Sequence, residues 1–235
     1  MSSDTAIPSM PFTWTPRNKT LLCSLATGPK HTELLRIMAP TAAYYALRHN
    51  MDSLVMPLRG RLEPSRPPAW DKVVLIRHAL TLYDTVIWID ADAIICDPTR
   101  DIQAVLDPRF SMHLVLHPYN GKVTANTGVW ICQNHAATFE VLEKVWSHTA
   151  CIHHPWWEQA ALMDLLGYDL HTWTFRAPTP YTHLVQYLGE EWNCRPELGG
   201  DPVIRHFLTS KKKKPHRMMK SYIGFLERLR EGGAL

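Results

Sequence analysis

Residues Tyr83 to Ile95 read Y-D-T-V-I-W-I-D-A-D-A-I-I. Val86 to Ile89 is a β-branched and aromatic run, the composition of a strand buried on both faces, and it delivers Asp90 and Asp92 at its carboxyl end. Ligands of α/β proteins gather outside the carboxyl ends of strands. Two carboxylates separated by one small residue can turn together toward a hard divalent cation once the strand has ended. Mg²⁺ or Mn²⁺ would leave coordination positions free for diphosphate oxygens. A bare D-x-D is commonly just two solvated loop carboxylates; the apolar run immediately upstream argues against that here.

Working outward, Leu21 to Ala26, closed by Thr27 and Gly28, reads as a buried strand ending in a tight loop. His31 to His49 has apolar residues at helical spacing, and Pro40 predicts a kink or two helices. Leu54 to Met56 reads as a short strand, Arg59 to Pro68 as an exposed loop, and Trp70 to Leu82 as a helix. Downstream, His113 to His117 is a strand, and Gly128 to Cys132 is another after a loop at Asn120 to Thr127. Helices are predicted over His135 to Trp146 and Trp156 to Leu166, a last strand over Val203 to Phe207, and a terminal helix over Met218 to Leu229. Strands alternating with helices predict an α/β fold, taken as one domain over residues 1–235 with 1–17 extended or poorly ordered.

The 235 residues are 46% hydrophobic, 10% aromatic and 20% charged, the balance of a folded globular chain. Twenty-five Lys and Arg against 22 Asp and Glu leave a net charge of +3, too little for general polyanion binding, so nucleic acid is not an expected partner. The five cysteines form no C-x-x-C pair, which fits a reducing compartment. The N-terminus lacks a basic segment followed by an apolar one, and no run approaches the roughly 18 apolar residues of a spanning helix. The expectation is no transmembrane segment and a cytoplasmic chain as it stands; a Golgi-type lumen is the alternative if an anchor was removed.

W-I-D-A-D-A-I-I resembles the D-x-D strand of GT-A glycosyltransferases, particularly the retaining α-galactosyl, α-mannosyl and α-xylosyltransferases of fungi and plants. The resemblance extends to N-T-G-V-W-I at Asn126 to Ile131, W-E-Q-A-A-L at Trp157 to Leu162, E-W-N at Glu191 to Asn193 and I-R-H-F at Ile204 to Phe207, in that family's order. It spans roughly Leu21 to Tyr222, and it implies a single GT-A (Rossmann-like) domain with a central mixed, mostly parallel sheet flanked by helices.

The resemblance also implies roles. Asp90, Asp92 and His206 would hold Mn²⁺ or Mg²⁺, and Ala26 and Thr27 would meet the nucleobase and ribose. Asn126 and Glu158 would bind donor-sugar hydroxyls. Gln159 would lie near the anomeric carbon, opposite the leaving group, stabilising positive charge through its carbonyl dipole. The segment Phe207 to Pro215 resembles one whose lysine contacts the donor diphosphate, with Lys211, Lys212, Lys213 and Lys214 as candidates; Thr209 and Ser210 stand where glycine is common. Lys72 and Arg77, five apart on a helix and so about 140° apart around its axis, cannot both face one point; the resemblance favours Arg77 at the diphosphate. Gly128 would let the backbone approach the sugar closely. Trp156, Trp157, Trp173 and Trp192 are candidates for stacking on acceptor sugars, with no more than two expected to do so.

The expected function is transfer of a hexose or pentose, with retention, from a nucleotide sugar to a glycan or other hydroxyl acceptor, a UDP-sugar being favoured over a GDP-sugar. The alternative is a phosphatase of the haloacid dehalogenase type, whose catalytic site also opens with D-x-D after a hydrophobic strand. Such chains usually carry the motif on their first strand, whereas at least two predicted strands precede it here.

Overall fold

A computed structural model describes residues 6–197, 199–208 and 213–233. Lys211 and Lys212 lie outside the described residues, so of the four candidate lysines only Lys213 and Lys214 have a described position. The strands are β1 (Thr20–Thr27), β2 (Asp52–Leu58), β3 (Thr85–Ile89), β4 (Ala93–Ile95), β5 (Met112–Tyr119), β6 (Lys122–Gln133), β7 (Tyr168–Asp169), β8 (Thr174–Phe175), β9 (Val185–Leu188) and β10 (Ile204–His206). The α-helices are α1 (Pro29–Arg48), α2 (Asp71–Ala79), α3 (Ala136–Ser147), α4 (Trp157–Leu165) and α5 (Lys214–Glu231).

The central sheet has the order β2-β1-β3-β6-β5-β9. β1 pairs in parallel with β2 and β3, and β5 with β9, while β6 runs antiparallel between β3 and β5. The sheet is therefore mixed and mostly parallel, as expected. Parallel strands must be covered on both faces, and β3 shows how. Val86 and Trp88 point into a core shared with α2, α3 and α4, while Ile87 and Ile89 point into a second core shared with α1 and α5. Residues 6–17 carry no helix or strand, yet Met10 is buried and Trp14 Nε1 donates to Tyr83 Oη at 2.9 Å.

Two local expectations need correction. Pro40 does not divide its segment into two helices: α1 is continuous from Pro29 to Arg48. Pro40 lies on the solvent side of that helix, where the carbonyl that loses its partner can meet water, and the neighbouring Thr41 donates its hydroxyl to Met38 O at 2.8 Å. The segment predicted as a loop at Asn120 to Thr127 is instead a hairpin. Asn120 and Gly121 turn the chain with φ of 48° and 74°, and β6 begins at Lys122. Two successive left-handed residues are what a tight two-residue hairpin requires, and Asn-Gly is its preferred pair.

After β3 the chain turns at once. Asp90 N donates to Gly128 O at 2.7 Å and Ala93 N to Asp90 O at 3.0 Å, and β4 then pairs antiparallel with β10 with Ala93 opposite His206. That register brings His206 beside Asp92 across 114 residues of sequence. All five cysteines are free and buried. Among the described residues no helix is long and apolar enough to cross a membrane.

Candidate metal and donor site

Because β1 and β3 are parallel, their carboxyl ends share one edge of the sheet, and antiparallel β6 brings Asn126 to Gly128 to the same edge. Asp90, Asp92 and His206 converge there, one ligand atom from each lying within 4.8 Å of the others. His206 Nε2 stands 3.1 Å from Asp92 Oδ1 and 3.7 Å from Asp90 Oδ2.

A chain of amides fixes which nitrogen of His206 faces the acids. Gly128 N donates to Asn126 Oδ1 at 2.9 Å, so that atom must be the oxygen. The same oxygen accepts from Asn193 Nδ2 at 2.8 Å, which turns Asn193 Oδ1 toward His206 Nδ1 at 3.0 Å. His206 Nδ1 therefore carries the proton, and in the neutral ring Nε2 presents its lone pair to the space between the two acids. Asn193 is held in turn by His117, whose Nε2 donates to Asn193 O at 2.5 Å; burial pushes the His117 ring down to about 4, keeping it neutral. The need for glycine at 128 also lies here. A Cβ on Gly128 would fall 2.0 Å from His206 Cε1, so the close approach is to the imidazole.

Charge in the site is distributed by two lysines. The buried Lys72 ammonium reaches Glu158 Oε1 at 2.9 Å, Asp90 Oδ1 at 3.0 Å and Thr127 O at 3.2 Å, one acceptor for each of its three protons. Burial alone would lower its pKa, but Asp90 and Glu158 outweigh burial and raise it above the usual lysine range. Lys214, at the start of α5, reaches Asp92 Oδ2 at 2.5 Å. Burial would raise the Asp92 carboxyl; a His206 ring that carries its second proton, and the Lys214 ammonium, hold it well below the usual range instead.

The order of preference between Lys72 and Arg77 is thereby reversed. Lys72 is at the site, whereas Arg77 Nε is bound to Glu143 Oε1 at 2.6 Å against α3. Both Arg77 and Glu143 are about two-fifths exposed, an ion pair of at most about 1 kcal/mol. Lys72 is among the buried residues of α2 and Arg77 is not, in keeping with the angle of about 140° between them.

Glu158 and Gln159 open α4, entered through Trp157 at φ 43°. Glu158 is buried; Oε1 takes Lys72 and the Thr127 hydroxyl at 3.1 Å, while Oε2 is buried with no hydrogen-bond partner. Burial is the main cause of its raised pKa, opposed by Lys72 and supported by Asp90. Gln159 Oε1 accepts from Asn126 Nδ2 at 3.0 Å and Thr127 N at 3.2 Å. Its carbonyl is thus oriented by β6, and the amide nitrogen is the polar end left over.

Ala26, at the end of β1, packs with Leu35 and Ala91, beside the middle residue of D-x-D, and half-buried Thr27 follows it. Trp192 is a core residue and Trp156 and Trp173 lie on one another with centroids 3.8 Å apart, whereas Trp157 is 42% exposed. Asn193 was legible only as part of E-W-N; its role follows from the two partners that the fold brings to it.

The family model of the galactosyl transferase GMA12/MNN10 family matches residues 22–126, a little under half of the chain and including both aspartates. No curated protein gives a significant match. Among solved structures, a glycosyltransferase involved in glycosylation of the major capsid of PBCV-1 superposes with a TM-score of 0.62 at 18% identity, covering 84% of this chain and 98% of that one. The glycosyltransferase GlyE of Streptococcus pneumoniae TIGR4 gives 0.57 at 12% identity, covering 92% and 64%. The galactosyltransferase LgtC, solved with donor and acceptor sugar analogs, gives 0.52 at 12% identity, covering 90% and 99%. The fold is that of GT-A glycosyltransferases.

Proposed function

We propose that this glycosyltransferase is metal-dependent and transfers a hexose or pentose from a nucleotide diphosphate sugar, a UDP-sugar by preference, to a glycan hydroxyl with retention of the α-linkage. The observation that carries the reading is the convergence of Asp90, Asp92 and the His206 Nε2 lone pair at the edge where strands β1 and β3 end. Two hard carboxylate oxygens and one imidazole suit Mn²⁺ or Mg²⁺. Bound there, the cation would neutralise the diphosphate charge that grows as the sugar departs.

The chain's own groups supply the rest. Lys214 would meet the diphosphate, a reading supported by its ammonium standing at Asp92. Glu158 Oε2, a buried acceptor lacking a donor, suits a sugar hydroxyl, which brings one. Asn126 and Gln159 shape the adjoining wall, and Ala26 and Thr27 the nucleoside end. Exposed Trp157, next to Glu158, offers an apolar face for an acceptor ring. Glu158, the one carboxylate of the W-E-Q segment, is buried with Oε1 held by Lys72 and Thr127 and Oε2 assigned to a donor hydroxyl, so the segment supplies no base for the acceptor; this supports retention.

A screen of sugar nucleotides for Mn²⁺-dependent hydrolysis and transfer tests the reading, with the product's anomeric coupling read by proton NMR. An α-product from an α-donor is expected; a β-product, or full activity in excess chelator, overturns it. Asn193 makes a narrower prediction as a positioning residue. Asn193→Ala frees His206 from its fixed tautomer and should weaken Mn²⁺ binding about 10- to 100-fold in a direct metal titration. Unchanged metal affinity in a folded variant would show that the amide chain does not orient the imidazole.

A further inference from the structure

His206 points toward D-x-D, so its strand neighbours Arg205 and Phe207 project to the other side of the β4–β10 pair. On that side lies a cavity of about 380 Å³, walled by those two residues, by Pro196, Gly200, Asp201 and Pro202, and by one face of α5. Arg217, Lys220, Gly224 and Arg228 recur there at helical spacing, and Gly224 leaves the wall open, since a Cβ would meet nothing within 4 Å. Four cations, Arg205, Arg217, Lys220 and Arg228, face a single lining acid, Asp201. The whole chain carries a net charge of only +3, so this cavity concentrates as much positive charge as the protein has in excess.

The cations are unequally neutralised. Arg228 is paired with Asp201 at 2.6 Å, and Arg217 reaches Glu197 only at 3.8 Å while lying 5.8 Å over the Phe207 ring. Among the described residues no carboxylate lies within 4.0 Å of Arg205 or Lys220, and Arg205 Nε is buried without a hydrogen-bond partner. A desolvated guanidinium donor with no acceptor is costly to leave unmade, and an anion entering the cavity would supply the acceptor. Guanidinium forks match the oxygens of phosphate, and Phe207 and Phe225 give the same cavity an apolar wall.

We infer that this cavity is a second anion site, separate from the metal cluster, that takes the phosphate group of a ligand with an apolar portion, either a small phosphorylated molecule or a lipid headgroup. The inference is independent of how the D-x-D site is used. Calorimetric titration of the full chain with inorganic phosphate, in chelator so that no cation occupies the acidic cluster, tests it. Wild type and Asp92→Asn should bind alike. Lys220→Glu, a change at an exposed position that does not threaten folding, and Arg205→Gln should each bind at least about tenfold more weakly. Sedimentation with phosphatidic acid vesicles separates the sources: loss of wild type but not Lys220→Glu from the supernatant points to a headgroup, and phosphate binding without sedimentation points to a small ligand. Equal phosphate affinity in wild type and Lys220→Glu, or a loss confined to Asp92→Asn, would overturn the proposal.

Discussion

Asp92→Asn is expected to lower kcat/KM in Mn²⁺ by at least about a hundredfold, roughly 2.7 kcal/mol of transition-state stabilisation. The substitution keeps shape and removes charge at a residue that touches both His206, through Oδ1, and Lys214, through Oδ2. The protein should nonetheless fold. Asp92's backbone carbonyl still receives Phe207 N at 2.9 Å, the β4–β10 register does not depend on the side chain, and an amide oxygen can still accept from Lys214. Steady-state rates at saturating Mn²⁺, beside a denaturation midpoint, separate the two effects. A loss below about threefold would remove Asp92 from the proposed metal set, whereas a large loss with a collapsed midpoint would make Asp92 a structural residue.

What could be read from sequence was what local periodicity encodes. β3 announces itself because Val86 to Ile89 are buried on alternating sides and all apolar, and the helices follow from apolar residues at helical spacing. The start of β6 hides because its burial is inverted: Thr124 and Asn126 are buried while Val123 is 53% exposed. Asn126 is buried for its bonds to Asn193 and Gln159, partners 67 and 33 positions away, so the strand looks like a polar loop. The Asn120-Gly121 pair was the available signal for the hairpin. The burial of Lys72 is hidden from the sequence for the same reason. A buried lysine is tolerated only when paired, and its acids lie on β3's end and on α4, neither of which α2's own pattern can reveal. The meeting of Asp90, Asp92 and His206 was legible because each lies at the end of a recognisable strand. The amides that orient His206 were not, because a polar residue's partner is a property of the assembled sheet.

Lys72→Met is expected to cost about 3–5 kcal/mol of folding stability, the penalty for leaving buried charge without its partner. Methionine matches the length and apolar stem of lysine, so packing is disturbed little and the loss is electrostatic. The wild-type ammonium satisfies Asp90, Glu158 and the Thr127 carbonyl together; without it, Glu158 is buried beside a second carboxylate with no cation between them. The sign with pH follows. Glu158 already sits above its ordinary pKa, chiefly through burial, and removing Lys72 removes the opposing influence, so its folded pKa rises further above the unfolded value. A carboxyl raised in the folded state binds more protons folded than unfolded, so the deficit is full above the folded pKa and shrinks as pH falls toward the unfolded one. Wild type and variant should therefore differ most near neutrality and less in mild acid, in urea denaturation followed by tryptophan fluorescence. Adding Glu158→Gln to the variant should restore part of the loss, because it removes one of the two stranded charges. A neutral-pH cost below about 1 kcal/mol, the size of an exposed pair, or a double variant no more stable than the single one, would show that Lys72 is not the counterion on which the donor site is built.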